Sequence, residues 1–281
     1  MSIVKIVTDS NAQLAPGVAE RLGIHVVPLR IQQGKRISRE GIDVTAQNYF
    51  ARLERNSPLP LDLPPTQQEL ADLYTRLHRE TDQILSLHVS ARVNDTWAVA
   101  RAAAAPLLGR CRIMVVDSQM VSFGLGILVE AAAEAAAAGT RLDEVVRLVR
   151  GMVPHLYGAF FVETLDYLER SRHISKAQAL LGAMLGIKPM LAMEDGELMP
   201  AEKVHTRERA AEKLAEFISE FSHIHKMAIL QHGFEQETDM LLQQIRNQLP
   251  NRDVPVYTYS PSLACHLGPS AMGVIVYEGQ I

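Results

Sequence analysis

Apolar runs and helical patterns alternate along the first half of the chain. Short runs rich in β-branched residues predict strands, and stretches with apolar residues every three or four positions predict helices. Strand, helix and strand at this spacing predict right-handed βαβ units and a mostly parallel, Rossmann-like sheet. The predicted strands are Val4–Val7, Val26–Ile31, Gln83–His88 and Ile113–Val116, and the predicted helices are Pro16–Leu22, Ala46–Arg55, Gln67–Glu80, Asp95–Ala105 and Val121–Ala138.

The pattern changes after about residue 151, where strands are spaced unevenly. Asp195-Gly196, between two apolar runs, predicts a hairpin turn. We therefore predict an α/β fold of two domains: an N-terminal domain of residues 1–155 with the parallel sheet, and a C-terminal α/β domain of residues 156–281 with a mixed or antiparallel sheet. Its predicted strands are Ala159–Val162, Lys188–Met193, Glu197–Val204, Met227–Gln231, Val256–Tyr259 and Met272–Tyr277, and its predicted helices are Lys176–Leu185, Thr206–Phe221 and Gln236–Gln248.

A proline-rich segment interrupts the helical pattern of the first half. Four prolines between residues 58 and 65 disfavour a helix and favour an extended path. Thr66, with Glu69 three positions later, forms the pattern of a capping box. The sequence thus predicts an extended segment that leads directly into the start of a helix.

Composition and charge exclude several classes of function. The chain has 281 residues, a net charge of −4 and no run of five or more Lys or Arg, so its charge gives no reason to expect nucleic-acid binding. The most apolar stretch contains Glu130 and Glu134, so it predicts an alanine-rich core helix and no membrane span. The two cysteines have no metal or redox spacing, and the start of the chain has no secretory pattern. We therefore expect a cytoplasmic location.

Polar residues stand where the predicted parallel strands end. These are Asp9-Ser10, His88 with Ser90, and Asp117-Ser118. Ligands of open parallel sheets bind outside the carboxyl ends of the strands. Asp and Ser are also preferred residues at helix N-termini. Each pair therefore has two interpretations, a helix cap or a ligand contact, and the cap is favoured for each one singly.

The usual catalytic motifs are absent, which favours a binding protein over an enzyme. The chain has no P-loop, no G-x-S-x-G and no H-E-x-x-H, and His223 and His225 lack a third metal ligand. Arg172 and His173 precede a predicted helix, where cations suit a bound anion. His266 lies before a Gly-Pro turn, where it can donate to a carboxylate or another anion.

Four segments, in this order, resemble the DegV family of bacterial lipid-binding proteins along the full length of the chain. They are KIVTDSNAQL, VVDSQMVSFGLG, ETLDYLERSRHISKAQALLGAMLGIKPMLAMEDGEL and HLGPSAMGV. The resemblance implies a long-chain fatty acid, palmitate- or oleate-like, in a tunnel between the two domains, with the carboxylate at a polar mouth. It implies no cofactor and no metal, and as a partner the catalytic subunit of a separate fatty acid kinase.

The resemblance also implies the head-group residues. A Thr-Ser-Gln-Pro stretch of the family corresponds here to LDLP, a Ser-Gly-Thr turn to NDT, and an arginine to a histidine. An ionised Asp62 beside a fatty-acid carboxylate would be a like-charge pair. Asp62 then turns away, or is neutralised by Arg172 or His173, or the head group is not an anion; the sequence leaves all three open. The ligand-binding residues implied are Asp62, Asn94, His173 and His266.

The sequence does not decide which residues line the tunnel, and it allows two other functions. Met184, Leu185, Ile187, Met190 and Leu191 are either tunnel lining or plain core. One alternative function is an enzyme acting on a small phosphorylated or carboxylated substrate at the strand ends. The other is an interaction protein with a filled interior and no lipid. The working groups of the enzyme would be Asp9, Asp117, Arg172, His173 and His266.

Overall fold

The structure, a computed structural model, describes residues 3–52, 58–170, 188–250 and 252–279. The strands are β1 Lys5–Asp9, β2 His25–Val27, β3 Arg30–Gln33, β4 Arg36–Arg39, β5 Leu61–Leu63, β6 Gln83–His88, β7 Arg112–Asp117, β8 Leu156–Val162, β9 Lys188–Glu194, β10 Glu197–Val204, β11 Ile224–His232, β12 Val256–Tyr257 and β13 Ala271–Glu278. The helices are α1 Val18–Arg21, α2 Ala46–Arg52, α3 Gln67–Leu77, α4 Thr96–Ala104, α5 Ser122–Ala137, α6 Leu142–Met152, α7 Asp166–Arg170, α8 Arg207–Ser219, α9 Glu235–Gln248 and α10 Pro261–Leu267.

The first half of the chain forms a four-stranded parallel sheet in the order β2-β1-β6-β7. Apolar side chains project from both faces of these strands, as expected for a sheet covered on both sides. Helices α3 and α4 cover one face, where Leu70, Tyr74 and Ala100 are fully buried. The capping box of Thr66 and Glu69 starts α3 as predicted.

The second half forms a six-stranded mixed sheet in the order β10-β9-β8-β13-β11-β12. All neighbouring strands in this sheet pair antiparallel except β11 and β12, which are parallel. Helices α8 and α9 cover its outer face, with Leu214, Phe234 and Leu241 in the core between them and the sheet. Together the two sheets confirm the predicted α/β class, with one parallel and one mixed sheet.

Helix α5 lies between the two sheets and contacts β1, β8 and β13. It is apolar around nearly its whole circumference, as the sequence predicted for a core helix. Gly126 allows this packing, since a Cβ atom there would lie 2.1 Å from the carbonyl oxygen of Gln13. One hydrophobic cluster therefore runs from Ile6 in the first sheet through Leu128 to Ile275 in the second. No helix in the described ranges has the length and apolar character needed to cross a bilayer.

The predicted strand Val26–Ile31 is wrong as a single element. The chain forms β2 and β3 instead, and Pro28 lies in the break between them because proline cannot donate to a ladder. Strand β3 leaves the parallel sheet and pairs with β4 and β5 in a small antiparallel sheet. The extended proline-rich segment predicted from the sequence supplies β5, which positions Asp62.

Three helices were not predicted, among them the short α7, and one predicted helix cannot be compared. Helix α6 was not predicted, nor was α10, whose Ser260 cap accepts a hydrogen bond from the Leu263 amide at 3.3 Å. The helix predicted at Lys176–Leu185 lies outside the described residues. The division into domains at residue 155 stays a prediction, although each large sheet takes its strands from one side of it.

The predicted hairpin turn joins β9 to β10 and touches the first half of the chain. Asp195 and Gly196 both have positive φ, 48° and 82°, as in a type I′ turn. The Ser90 hydroxyl donates to the Gly196 carbonyl oxygen at 2.6 Å. A Cβ atom at position 196 would meet that hydroxyl at 2.6 Å, so glycine is required both by the turn and by its contact.

Buried and half-buried polar contacts also join the two halves. The side-chain amide of Asn11 donates to the Ser262 hydroxyl at 2.9 Å across the two halves, and its oxygen accepts from the Ser122 backbone at 2.7 Å within the first half. Lys226 of β11 forms an ion pair with Glu130 of α5 at 2.7 Å. These contacts, with the shared core, fix the relative position of the two sheets.

Candidate functional site

The polar residues at the ends of β1 and β6 lie inside the protein and contact one another. Asp9 is fully buried at the end of β1. Its Oδ1 accepts from the Asn11 amide at 3.1 Å, while its Oδ2 accepts from the Val89 amide at 2.9 Å and lies 3.0 Å from His88 Nδ1. Asp9 therefore ties the loop after β1 to the end of β6, and its carboxylate is not available to a ligand.

Asp9, His88 and Ser86 form a chain that has the order of an acid, a base and a nucleophile. His88 Nε2 lies 2.7 Å from Ser86 Oγ, which is also 2.7 Å from the Tyr74 hydroxyl. All four side chains are fully buried. A nucleophile must reach its substrate, so this network serves the core and does not form a hydrolytic site.

Asp117 and Ser118 have the same role at the end of β7. Asp117 Oδ1 accepts from the amides of Ala91 and Gln119, at 3.0 and 2.9 Å. The Ser118 hydroxyl is buried and bonds to the backbone of Met120. The repeated Asp-Ser pairs bind backbone groups of the strand-end loops. The helix caps favoured for them are wrong, because α1 and α5 have Gly17 and Val121 at their N-caps, without a side-chain cap.

Three of the four residues implied as ligand-binding meet at one point. Asp62 lies on β5, Asn94 in the loop between β6 and α4, and His266 in the last turn of α10. Asp62 Oδ2 accepts from Asn94 Nδ2 at 2.6 Å, and Asp62 Oδ1 lies 3.0 Å from His266 Nε2. This cluster joins residues from both halves of the chain; we call Asp62, Asn94 and His266 the mouth cluster.

The orientation of the Asn94 amide follows from its other partner. Asn94 Oδ1 accepts from the Thr96 backbone N–H at 2.9 Å and from the Thr96 hydroxyl. A backbone N–H can only donate, so the carbonyl oxygen of Asn94 must face it and the NH₂ group must face Asp62. Asn94 is therefore held as a hydrogen-bond donor, with its side chain 1% exposed.

His266 approaches Asp62 without forming a hydrogen bond to it. The 3.0 Å contact is short enough for an ion pair, but the directions at the two atoms are unsuitable, so Nε2 has no hydrogen-bond partner within the described ranges. The imidazole is buried, with 4% of its side chain exposed.

Cys265, the residue before His266, contacts an aromatic group that includes Tyr49 and Phe50. The Tyr49 hydroxyl lies 3.9 Å from Cys265 Sγ, and Phe50 stacks on His232 at 3.7 Å between ring centroids. Burial, reinforced by the negative charge of Asp62, raises the pKa of the Cys265 thiol well above its usual value. Cys265 therefore stays a neutral thiol beside the cluster.

A second buried carboxyl lies close to the cluster and appears in none of the motifs found in the sequence. Glu40 accepts from the Ser10 hydroxyl at 2.5 Å and from the Ser262 amide at 2.7 Å. Burial raises its pKa to about 7, and the nearby charge of Asp9 acts in the same direction. Glu40 thus joins the small sheet to the first turn of α10, the helix that carries His266.

The other predicted residues divide into two groups. Arg172, His173, Met184, Leu185 and Ile187 lie outside the described residues. Met190 and Leu191 are buried on β9, in the cores on opposite faces of the second sheet. At these two positions the structure shows core packing, which was one of their two interpretations.

Other places in the described part of the chain offer less chemistry. No group of three or more His, Cys, Asp or Glu side chains within the described ranges is placed to hold a metal. Three surface grooves lie away from the mouth cluster, with volumes of about 650, 540 and 470 Å³. Their walls include Lys226 and Arg252 in the first, Trp97 and Arg101 in the second, and His25 and Arg76 in the third.

Known proteins resemble this chain over nearly its whole length. A family model described as uncharacterised protein, DegV family, matches residues 3–279. A DegV domain-containing protein of Streptomyces coelicolor is 34% identical over 279 residues, which are 97% of this chain and 98% of the relative.

Two solved structures share the fold. A DegV family protein from Thermus thermophilus, described by its fatty acid binding, has a TM-score of 0.86 at 28% identity and covers 98% of this chain and 99% of its own. A fatty acid binding DegV family protein from Streptococcus agalactiae has a TM-score of 0.90, covers 99% of both chains and, at 24% identity, shows the fold alone. The chain belongs to the DegV family.

Proposed function

We propose that this protein binds a long-chain fatty acid of the palmitate or oleate type, with the head group at the mouth cluster. The observation that carries the proposal is the convergence of Asp62, Asn94 and His266 from three separate elements. The Thermus thermophilus relative, described by its fatty acid binding, supports the choice of ligand. His173, outside the described residues, is the fourth proposed contact.

The hydrocarbon chain supplies most of the binding free energy in this proposal. Each buried methylene contributes about 0.8 kcal/mol, so a chain of roughly 14 methylenes contributes on the order of 10 kcal/mol before ordering costs. The proposed path is a tunnel between the two sheets, entered at the mouth cluster. Polar groups at the entrance then need only to fix the position of the head.

The proposed role is binding and not catalysis by this chain alone. The strand-end carboxylates Asp9 and Asp117 are occupied by backbone amides and by His88. We include in the proposal the presentation of the acyl head to a separate fatty acid kinase, which the family resemblance implies. Transfer of phosphate to the lipid only when kinase and this chain are mixed would support that part.

Substitution of His266 tests the site. We expect His266→Ala to weaken palmitate binding about tenfold, because a buried donor beside the head group is lost, a change of roughly 1.4 kcal/mol. Affinity is measured by titrating delipidated protein, and native mass spectrometry reports the lipid that copurifies. His205→Ala, on an exposed residue after β10, is the matched control and should bind as the unmodified chain does. Unchanged affinity in His266→Ala would remove His266 from the site, and a protein that takes up no acyl chain would refute the function.

A further inference from the structure

Helix α10 turns one of its faces toward the first half of the chain. Ser262 and His266 are four positions apart, so they lie on the same face of the helix, about 6 Å apart along its axis. The Ser262 amide donates to Glu40 at 2.7 Å. His266 Nε2 lies 3.0 Å from Asp62 Oδ1. The same face of α10 thus contacts the first half of the chain in both the first and the last turn of the helix.

Two buried side chains of the first half hold the first turn of α10. Glu40 Oε1 accepts from the Ser262 amide at 2.7 Å, and Asn11 Nδ2 donates to the Ser262 hydroxyl at 2.9 Å. Glu40 and Asn11 are 4% and 2% exposed. We call Glu40, Asn11 and Ser262 the clasp. Losing a hydrogen bond of the clasp is costly, because water does not replace a partner at a buried site.

The loop after β1 holds Glu40 itself in place. Glu40 Oε2 accepts from the Ser10 hydroxyl at 2.5 Å, and that hydroxyl accepts from the Leu29 amide at 2.9 Å. Each oxygen of the carboxyl group thus has a donor, as a buried carboxyl group requires. Glu40 therefore cannot move toward or away from α10 without weakening one of its two hydrogen bonds.

The position of His266 depends on the first turn of its helix. Helix α10 has seven residues, all of them buried. The hydrogen bonds of a helix link each turn to the next, so a shift of Ser262 is passed on to His266 one turn later. Hydrogen bonds weaken steeply as their distance and angle depart from the optimum. A small displacement of the first turn is therefore enough to weaken the contact of His266 with a bound head group.

We propose that Glu40 is a positioning residue for the head-group site: through the clasp it holds α10 and so places His266 where the acyl head group binds. This inference rests on the proposed function, since it takes His266 as a head-group contact. Glu40 touches no ligand in this role. It contributes the oxygen that accepts from the Ser262 amide, so a neutral amide side chain of the same length can replace it and a shorter side chain cannot.

Substitution of Glu40 tests its role in binding. We expect Glu40→Ala to weaken palmitate binding about fivefold, because the first turn of α10 loses its acceptor. Glu40→Gln keeps an oxygen for the Ser262 amide and should recover most of the affinity. Glu40→Asp is shorter by one methylene, should act in the same direction as the alanine variant, and serves if that variant does not fold. Glu237→Ala is the matched control: it removes another buried glutamate, 8% exposed on α9, and should bind palmitate as the unmodified chain does.

Two further measurements separate positioning from a simple loss of stability. The first is the Hε1 NMR signal of His266 in the ligand-free protein, assigned by its absence from the His266→Ala spectrum. We expect this signal to shift in Glu40→Ala and to stay in place in Glu237→Ala. The second is a double-mutant cycle. Because Glu40 acts through His266, Glu40→Ala should weaken palmitate binding less than about twofold in a His266→Ala background.

The outcomes separate this inference from the function on which it rests. An unmoved His266 signal and an unchanged affinity in Glu40→Ala would overturn the inference and leave acyl binding intact. Equal losses of affinity with and without His266 would also overturn it, since Glu40 would then not act through His266. If none of these proteins takes up palmitate although the His266 signal shifts in Glu40→Ala, acyl binding is refuted and the link between Glu40 and His266 stands.

Discussion

Glu40 is buried where β4 ends, and it bonds to groups from opposite halves of the chain. Its carboxyl accepts from Ser10 after β1 and from Ser262 at the start of α10. Burial raises its pKa from an ordinary 4.5 to about 7. The folded protein therefore keeps a proton on Glu40 over a range of pH in which the unfolded chain has released it.

The sign of the pH dependence follows from this shift. The contribution of Glu40 is most favourable below about pH 4.5 and is lost as the pH rises to about 7. A shift of this size corresponds to about 3 kcal/mol of unfolding free energy. We expect Glu40→Gln, which cannot ionise, to remove most of this pH dependence, as measured by chemical denaturation between about pH 5 and 8.

A charge-matched control separates burial from net charge. Glu20→Gln removes one negative charge from an exposed position on α1 and should leave the pH dependence of stability unchanged. An identical pH dependence in Glu40→Gln and the unmodified protein would show that Glu40 does not hold a proton in the folded state.

At the scale of elements, α5 depends on one glycine. Alanine normally favours a helix over glycine by about 1 kcal/mol. At position 126 we expect the opposite, a loss of about 3 kcal/mol, because the new Cβ would overlap the backbone oxygen of Gln13. Gly151→Ala in α6 is the matched control: no atom lies within 4 Å of its Cβ position, so a gain of about 0.5–1 kcal/mol is expected. Equal effects in denaturant titrations of the two variants would contradict the close packing of α5.

The elements that sequence patterns predicted are those whose signals are local. The hairpin at Asp195-Gly196 and the strand Gln83–His88 have turn residues and apolar periodicity within a few positions, and both are confirmed. The prediction of a single strand at Val26–Ile31 was wrong because an apolar run across Pro28 does not show that the chain changes sheets. Helix α10 is short and begins with a proline, so its periodicity was too brief to separate from a turn.

The structure brings three of the four residues implied by the resemblance together, and their role in ligand binding stays a prediction. The DegV resemblance implied Asp62, Asn94 and His266, but it could not show that Asn94 donates to Asp62 or that His266 Nε2 lies 3.0 Å from Asp62 Oδ1. Asp62 contacts Asn94 and His266, while Arg172 and His173 lie outside the described residues, so the three possibilities for a like-charged Asp62 stay predictions. Glu40 was missed because it belongs to no motif, and only the fold brings it to Ser262.

At the scale of the whole molecule, the continuous core predicts cooperative unfolding. One hydrophobic cluster includes residues of both large sheets, with α5 between them. We expect a single transition in denaturant, since neither sheet keeps its buried face without the other. Trp97, the one tryptophan of the chain, reports on the first half through its fluorescence, and far-UV circular dichroism reports on both halves.

A second fluorescence probe makes the comparison symmetrical. Tyr157→Trp on β8, in a Trp97→Phe background, reports on the second half from a half-buried position. Coincident midpoints from both probes and from circular dichroism are expected. Separate midpoints would show that the two halves are independent folding units.

The position of β13 in the second sheet has a consequence for how the chain folds. Strand β13 lies between β8 and β11, and its Tyr277 pairs with Leu156 at the start of β8. During synthesis β8 is made long before β13, the strand with which it pairs. Their pairing closes a long loop, which slows folding. In that interval β8 and β11 each present an open edge to other nascent chains, so the yield of native protein should depend on how quickly β13 arrives and on how well the waiting edges are shielded.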